Sequence, residues 1–145
     1  MCLKQVKRRK KIALASMLSV VMLMSGFAGV AKASTEGVYT YKNNTGKMVA
    51  SVDSGERGYG DIYYPVKTDL SLTVRLYYIN TNGKMCPGNS SSTSGCTTQV
   101  GTSFSLSSKY KNQGYKVAKV RSTGQISGST FVNKRTGKSY VEDLR

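Results

Sequence analysis

The sequence predicts an all-β protein, a small antiparallel β-sandwich or barrel-like domain of about eight short strands that follows a cleaved signal peptide. Between residues 34 and 145 only Ala50 and Ala118 are alanine, and leucine is sparse. Serine, threonine, valine and tyrosine are frequent instead, and β-branched and aromatic residues favour strands over helices. Alternation of apolar and polar residues recurs along the chain, whereas a convincing helical stripe does not.

The first 33 residues have the three parts of a secretory signal peptide. Six basic residues between positions 4 and 11 precede an apolar run over 12–30, which ends at Ala31-Lys32-Ala33. This order is typical of exported proteins, and the long basic segment suggests a Gram-positive bacterium. The apolar run is just long enough to span a bilayer, but serines and glycines interrupt it, which favours cleavage over a membrane anchor.

Cleavage after Ala33 leaves residues 34–145 as a single secreted β domain. The net charge then falls from +15 to +8, because seven of the 22 Lys and Arg residues lie in the signal peptide while all seven Asp and Glu residues follow it. No second apolar stretch long enough to span a membrane follows. We therefore expect a basic, extracellular product without a transmembrane span.

Two segments are the clearest strand candidates. Apolar residues occupy every second position over 69–80, and Val100, Phe104 and Leu106 share one face over 100–106. The six weaker candidates are 38–41, 47–52, 59–64, 115–122, 129–133 and 138–141. Turns rich in asparagine and glycine separate them, and such turns are typical of antiparallel hairpins.

Two cysteines, Cys86 and Cys96, remain after the signal peptide. In an oxidising compartment they are expected to form a disulfide bond with each other. The segment between them, 87–95, is polar, and we predict that it forms a flexible loop between the two clearest strands. Such a bridge would stabilise the fold by roughly 2.5–3 kcal/mol in the loop-entropy model.

Several classes of chemistry are excluded or disfavoured by the composition. The chain has no histidine, so a Ser-His or Cys-His nucleophile is excluded and the commonest metal ligand is missing. No phosphate-binding glycine motif is present, and we predict neither a metal nor a cofactor. Asp53, Glu56 and Asp61 could act as a glycosidase-like carboxylate pair, but a solvated turn with Arg57 as a partner is the simpler interpretation. We therefore predict a protein that is not an enzyme.

The candidate binding residues lie in the segment 108–121, which we predict to be a hairpin. They are Lys109, Tyr110, Lys111, Tyr115, Lys116, Lys119 and Arg121. Basic side chains attract anionic polymers, and tyrosine rings offer flat contact surfaces. Teichoic acid, acidic polysaccharide, anionic lipid headgroups and extracellular DNA are the expected partners. The simpler alternative is a solvated hairpin whose lysines protect an exposed edge strand.

The sequence therefore favours a secreted, non-catalytic β protein that binds anionic polymers of the cell envelope or its surroundings through a basic, tyrosine-bearing face. A second hypothesis is a secreted antagonist with a protein target, either a bacteriocin-like toxin or an enzyme inhibitor, because small size, export and positive charge suit it equally well. A sugar-active enzyme that uses the carboxylates of 53–61 is the third.

Overall fold

The computed structural model describes residues 34–53 and 56–145. The predicted signal peptide, residues 1–33, lies outside the described residues. The described chain forms an antiparallel sheet of seven strands that curls into a half-barrel, which confirms the predicted all-β, barrel-like fold. The strands are β1 (Thr35–Tyr41), β2 (Asn44–Val52), β3 (Arg57–Ile79), β4 (Met85–Ser105), β5 (Val117–Ile126), β6 (Ser129–Thr130) and β7 (Val141–Leu144), and a four-residue helix, α1 (Ser108–Lys111), precedes β5.

β3 is the central strand and pairs along both of its edges. β4 follows one edge along most of its length, from Ile79 opposite Met85 to Arg57 opposite Ser105. On the other edge, β2 pairs with the first part of β3 and β5 pairs with its second part. β1 extends the sheet beyond β2, while β6 and β7 both pair with β5.

β3 and β4 contribute to two layers that face each other across the core. Their pairing shifts register between Tyr63 and Thr68 of β3, which divides both strands into two parts. The first layer consists of β1, β2, residues 57–63 of β3 and the end of β4. The second layer consists of residues 68–79 of β3, the start of β4, β5, β6 and β7.

Two glycines allow these layers to approach closely. A Cβ atom at Gly58 would collide with Leu76, and one at Gly60 would collide with Val74. Both contacts join the first part of β3 to its second part across the core. A larger residue at either position would push the layers apart, because protein interiors are close-packed.

Apolar side chains fill the space between the layers. The alternation predicted over 69–80 is confirmed, since Leu70, Leu72, Val74 and Leu76 are all buried. The inward face predicted over 100–106 is confirmed as well, because Leu106 belongs to the core while the side chains of the other two predicted residues pack against it.

Seven strands form in the described chain instead of about eight, and two of them are much longer than predicted. The predicted strands 59–64 and 69–80 are parts of the 23-residue β3, and the prediction over 100–106 captured only the end of the 21-residue β4. The start of β4 was missed because its serine-, threonine- and glycine-rich sequence has the composition of a loop. It forms a strand because β3 pairs with it residue by residue. Tertiary pairing outweighs its weak local preference.

The predicted disulfide bond between Cys86 and Cys96 is wrong. Both residues lie in β4, opposite Tyr78 and Asp69 of β3 respectively, and Cys86 is a free cysteine. Ten residues of extended strand span about 30 Å, whereas bridged cysteines have Cα atoms within about 7 Å. The polar segment 87–95 is therefore part of a strand and not a flexible loop that needs a staple.

Candidate binding surface

The predicted binding segment does not form a hairpin. Its first part folds into α1 and a turn at one end of the half-barrel. Lys109, Lys111 and Lys116 are exposed there. The ring of Tyr110 lies 4.7 Å from that of Tyr78, and the ring of Tyr115 stacks on Tyr78 at 4.8 Å.

These two tyrosines help to close the core and do not form an open stacking platform. Tyr78, Tyr110 and Tyr115 are half-buried and pack against the buried apolar cluster. Their rings are therefore engaged within the fold. The three exposed lysines remain as a cationic end cap, a name we use for Lys109, Lys111 and Lys116.

The other two predicted residues, Lys119 and Arg121, lie on β5, on the side of the second layer that faces away from the core. Lys119 pairs across the strands with Tyr77, and Arg121 pairs with Arg75. On the far side of β5, Glu142 of β7 lies opposite Arg121. The structure thus separates the predicted site into the end cap and this outer surface.

Cations and tyrosine rings alternate on this outer surface. Lys119 Nζ lies 4.4 Å from the centre of the Tyr77 ring, and the Arg121 guanidinium lies 4.2 Å from the Tyr140 ring and 5.3 Å from Tyr77. Lys138 Nζ lies 5.3 Å from the centre of the same Tyr140 ring. Such cation–π contacts hold each charged group over a flat ring. We call this set the cation–tyrosine face, and it consists of Arg75, Tyr77, Lys119, Arg121, Lys138, Tyr140 and Glu142.

Glu142 orders the centre of this face. Its Oε1 atom accepts from Arg121 Nε at 2.6 Å and lies 2.9 Å from Lys119 Nζ. Burial acts to raise the pKa of Glu142, but the hydrogen bonds and charges of Lys119 and Arg121 outweigh it and hold this pKa below its ordinary value. Lys119 is largely covered, with 13% of its side chain exposed, whereas 32% of the Arg121 side chain is exposed.

Arg75 gives the face an unbalanced positive charge. It is exposed and lies directly opposite Arg121, and within residues 34–53 and 56–145 no carboxylate pairs with it. Like charges placed opposite each other destabilise a sheet. One carboxylate, Glu142, therefore faces four cations, of which Arg75 and Lys138 are the most accessible.

Sequence reasoning missed five residues of the face: Arg75, Tyr77, Lys138, Tyr140 and Glu142. They lie far from the predicted segment in the chain, and β-sheet pairing brings them beside it. One signal was available, since no Asp or Glu occurs between Asp69 and Glu142, a stretch that carries ten Lys and Arg residues. That imbalance indicates a basic surface, although the strand register is needed to locate it.

The three carboxylates considered for sugar chemistry lie in different surroundings. The Asp53 side chain accepts a hydrogen bond from the backbone N–H of Arg57 at 3.0 Å and so belongs to a turn. Glu56 has a positive φ of 64° beside that turn. Asp61 lies within β3 and is buried, so its side chain belongs to the sheet and not to the turn.

Asp61 is held by neutral donors alone. Its Oδ2 atom accepts from the Tyr59 hydroxyl at 2.6 Å and from Gln99 Nε2 at 2.5 Å, while its buried Oδ1 atom has no hydrogen-bond partner within the described chain. Burial raises the pKa of Asp61, and the two hydrogen bonds offset only part of this effect. The structure therefore favours the protonated form of this carboxyl more than water does.

Within residues 34–53 and 56–145, no group of three or more Cys, Asp or Glu side chains converges in a way that could hold a metal ion. None of the helices in that part of the chain has the length and apolar character needed to cross a membrane.

Comparison with protein-family models, with curated proteins and with solved structures yields no match to this chain.

Proposed function

We propose that the protein is an exported, non-catalytic binding protein that holds an anionic polymer of the cell envelope or the extracellular surroundings on its cation–tyrosine face. The unmatched charge of Arg75 opposite Arg121 carries the proposal. A sheet that served structure alone would gain by replacing one of the two arginines. A polymer with regularly spaced phosphates or carboxylates would neutralise both.

The rigidity of the face also supports binding. Glu142 and the rings of Tyr77 and Tyr140 hold the Arg121 guanidinium from three sides. A cation that is already ordered loses less side-chain entropy when it meets an anion. Arginine also suits phosphate and carboxylate groups, because its planar fork can donate two parallel hydrogen bonds.

The export signal and the overall charge agree with this proposal. A signal peptide over residues 1–33 would deliver the protein to the envelope, where anionic polymers are abundant, and the expected product keeps a net charge of +8. The end cap adds three exposed cations that can extend the contact beyond the outer face.

The test is a binding series with the purified protein. Teichoic acid, polygalacturonate and double-stranded DNA serve as anionic probes across a range of salt concentrations, and isolated cell envelopes serve as the natural surface. We expect binding that weakens steeply with salt, because exposed charge contacts are screened. A variant with Arg75→Gln and Lys138→Gln should bind about tenfold more weakly, the equivalent of about 1.4 kcal/mol.

A control variant with the same loss of charge tests whether the anionic probes bind to the cation–tyrosine face. Lys134→Gln with Arg135→Gln removes the same charge from exposed residues next to β1, where Lys134 N–H donates to Val38 O at 2.8 Å. This control should retain nearly full affinity. If it loses as much as the face variant, the attraction comes from overall charge and the proposed face is wrong. If no probe or envelope binds the unaltered protein, the proposed function is discarded.

The end cap is tested separately with Lys109→Gln, Lys111→Gln and Lys116→Gln. If this variant loses binding while the face variant retains it, the site lies at α1. That result would support the predicted segment and reject the cation–tyrosine face as the main contact.

A further inference from the structure

The half-barrel has one closed edge and one open edge. At the closed edge, the backbone N–H of Lys134 donates to Val38 of β1, and the Asp143 carboxylate accepts from Thr35 Oγ1 and from the N–H of Val52. At the open edge, β4 pairs with β3, and no strand of the described chain pairs with its other side. Among the strands of the described chain, none uses the row of backbone donors and acceptors on this side of β4.

The open edge lacks the usual protection against pairing. No charged residue occurs between Lys84 and Lys109, although charged side chains are one of the devices that keep edge strands apart. Pro87 and the two register shifts with β3 interrupt β4 elsewhere, but the pairing from Ser90 to Thr97 is regular. This eight-residue run, which we call the edge segment, is about 26 Å long.

The composition of the edge segment indicates which partner it accepts. Its side chains, Ser90-Ser91-Ser92-Thr93-Ser94-Gly95-Cys96-Thr97, are small and carry no charge. They form no deep pocket that would select the side chains of a foreign peptide, which is how strand-addition domains gain specificity. Without pockets or charges the edge segment gives no selectivity for a foreign strand, whereas the same segment of another copy matches it in length and in its lack of charge.

Charge also favours a second copy at this edge. Two basic molecules repel each other at most relative orientations, but the stretch from Met85 to Ser108 brings no cation to the contact. Antiparallel pairing of two edge segments around a two-fold axis would add about eight backbone hydrogen bonds.

We propose that β4 pairs with β4 of a second copy of this chain, so that the two half-barrels form one continuous sheet. A two-fold axis perpendicular to the sheet places both outer surfaces on the same side. The dimer would then present two cation–tyrosine faces to one surface, and bivalent contact would increase avidity. The pairing itself does not depend on the proposed function.

The test is sedimentation velocity of the purified protein in reducing buffer, from micromolar to high micromolar concentrations. The reductant excludes disulfide-linked dimers. We expect a concentration-dependent dimer whose dissociation constant rises about tenfold or more in Ser94→Lys, because two lysines then meet near the two-fold axis. Ser94 is exposed, so the substitution is compatible with the monomer fold, which circular dichroism checks.

A matched control and a second measurement complete the test. Ser139→Lys adds the same charge at an exposed position outside β4 and should leave the dimer intact. Hydrogen exchange of the unaltered protein should show slower exchange of amides in 90–97 at high concentration than at low concentration. A protein that stays monomeric throughout, a dimer that Ser94→Lys and Ser139→Lys weaken equally, or concentration-dependent protection elsewhere would each overturn the proposal.

Discussion

Two carboxylates, one in each layer, have opposite surroundings. Asp61, on the first layer, receives hydrogen bonds from the neutral donors Tyr59 and Gln99 and has a raised pKa. Glu142, on the second layer, contacts Lys119 and Arg121 and has a lowered pKa. Asp61 is buried and has only neutral donors, whereas Glu142 is partly exposed and contacts two cations, so burial and neighbouring charge together make the difference.

This comparison shows how unevenly the charge is distributed. The cation–tyrosine face has more cations than Glu142 can neutralise, while Asp61 is buried beside neutral donors. A cation beside Asp61 in the first layer would have allowed an ion pair with that carboxylate. Four cations lie together on the cation–tyrosine face instead, and this is where we propose that an anionic partner binds.

The largest expected effect concerns Asp61→Asn. The folded state binds a proton at Asp61 more tightly than the unfolded chain, so the free energy of unfolding of the unaltered protein should fall as the pH rises from about 4 through the raised pKa. The amide oxygen of asparagine can keep both hydrogen bonds without a charge. Its amide nitrogen takes the place of the unpartnered Oδ1 atom, so the gain comes from removing a buried negative charge and not from a new hydrogen bond. Because a buried charge costs more than a buried neutral polar group, we expect the variant to be about 1–3 kcal/mol more stable at pH 8. Urea unfolding between pH 4 and pH 8 measures this difference.

Glu36→Gln is the matched control for that experiment. It also removes one carboxylate, from an ion pair with Lys47 at 3.6 Å whose side chains are 45% and 41% exposed. Its effect should stay below about 0.5 kcal/mol. If Asp61→Asn shows the same pH profile as the unaltered protein, the raised pKa of Asp61 is wrong.

Glu142→Gln should have a smaller effect of opposite sign. The variant loses the charge that compensates Lys119 and Arg121, and we expect a loss of about 1 kcal/mol at pH 7, the upper end for partly exposed pairs. Because the pKa of Glu142 is lowered, this contribution is fully present above its ordinary value of 4.5 and is lost as the pH falls through the folded value. The two proteins should therefore converge in stability in acid, and equal stability already at pH 7 would contradict the role assigned to Glu142.

The fold could be predicted from sequence to the level of class and core face. Alternation fixed the inward residues Leu70 and Val74 because the apolar period of a half-buried strand is local information. The start of β4 could not be predicted, since Ser90 to Thr97 has no alternation and becomes a strand through pairing with β3. The error at Cys86 and Cys96 followed directly, because a segment taken for a loop allows its ends to meet.

The candidate site could be predicted only in part for a similar reason. Lys119 and Arg121 were found because they lie in a run of cations. Arg75 and Tyr140 are brought to them by register across β3, β5 and β7, which no local pattern encodes. Tyr110 and Tyr115 were assigned to a binding face because a lone ring in sequence does not reveal whether it packs on Tyr78 or faces solvent.

The smallest expected effect on stability belongs to Arg75→Gln, and its direction separates structure from function. Removing one of two like charges that face each other in the sheet should stabilise the protein by about 0.5 kcal/mol, while weakening binding to the anionic probes. Lys134→Gln, which removes one charge beside β1, should change neither quantity appreciably. Thermal unfolding and the salt-dependent binding series measure both quantities on the same samples.

A gain in stability together with a loss of binding would mean that Arg75 is retained for a ligand at the expense of the fold. A loss of stability would mean that Arg75 is part of the structural network around Glu142, and the comparison between the two layers would then reflect packing alone.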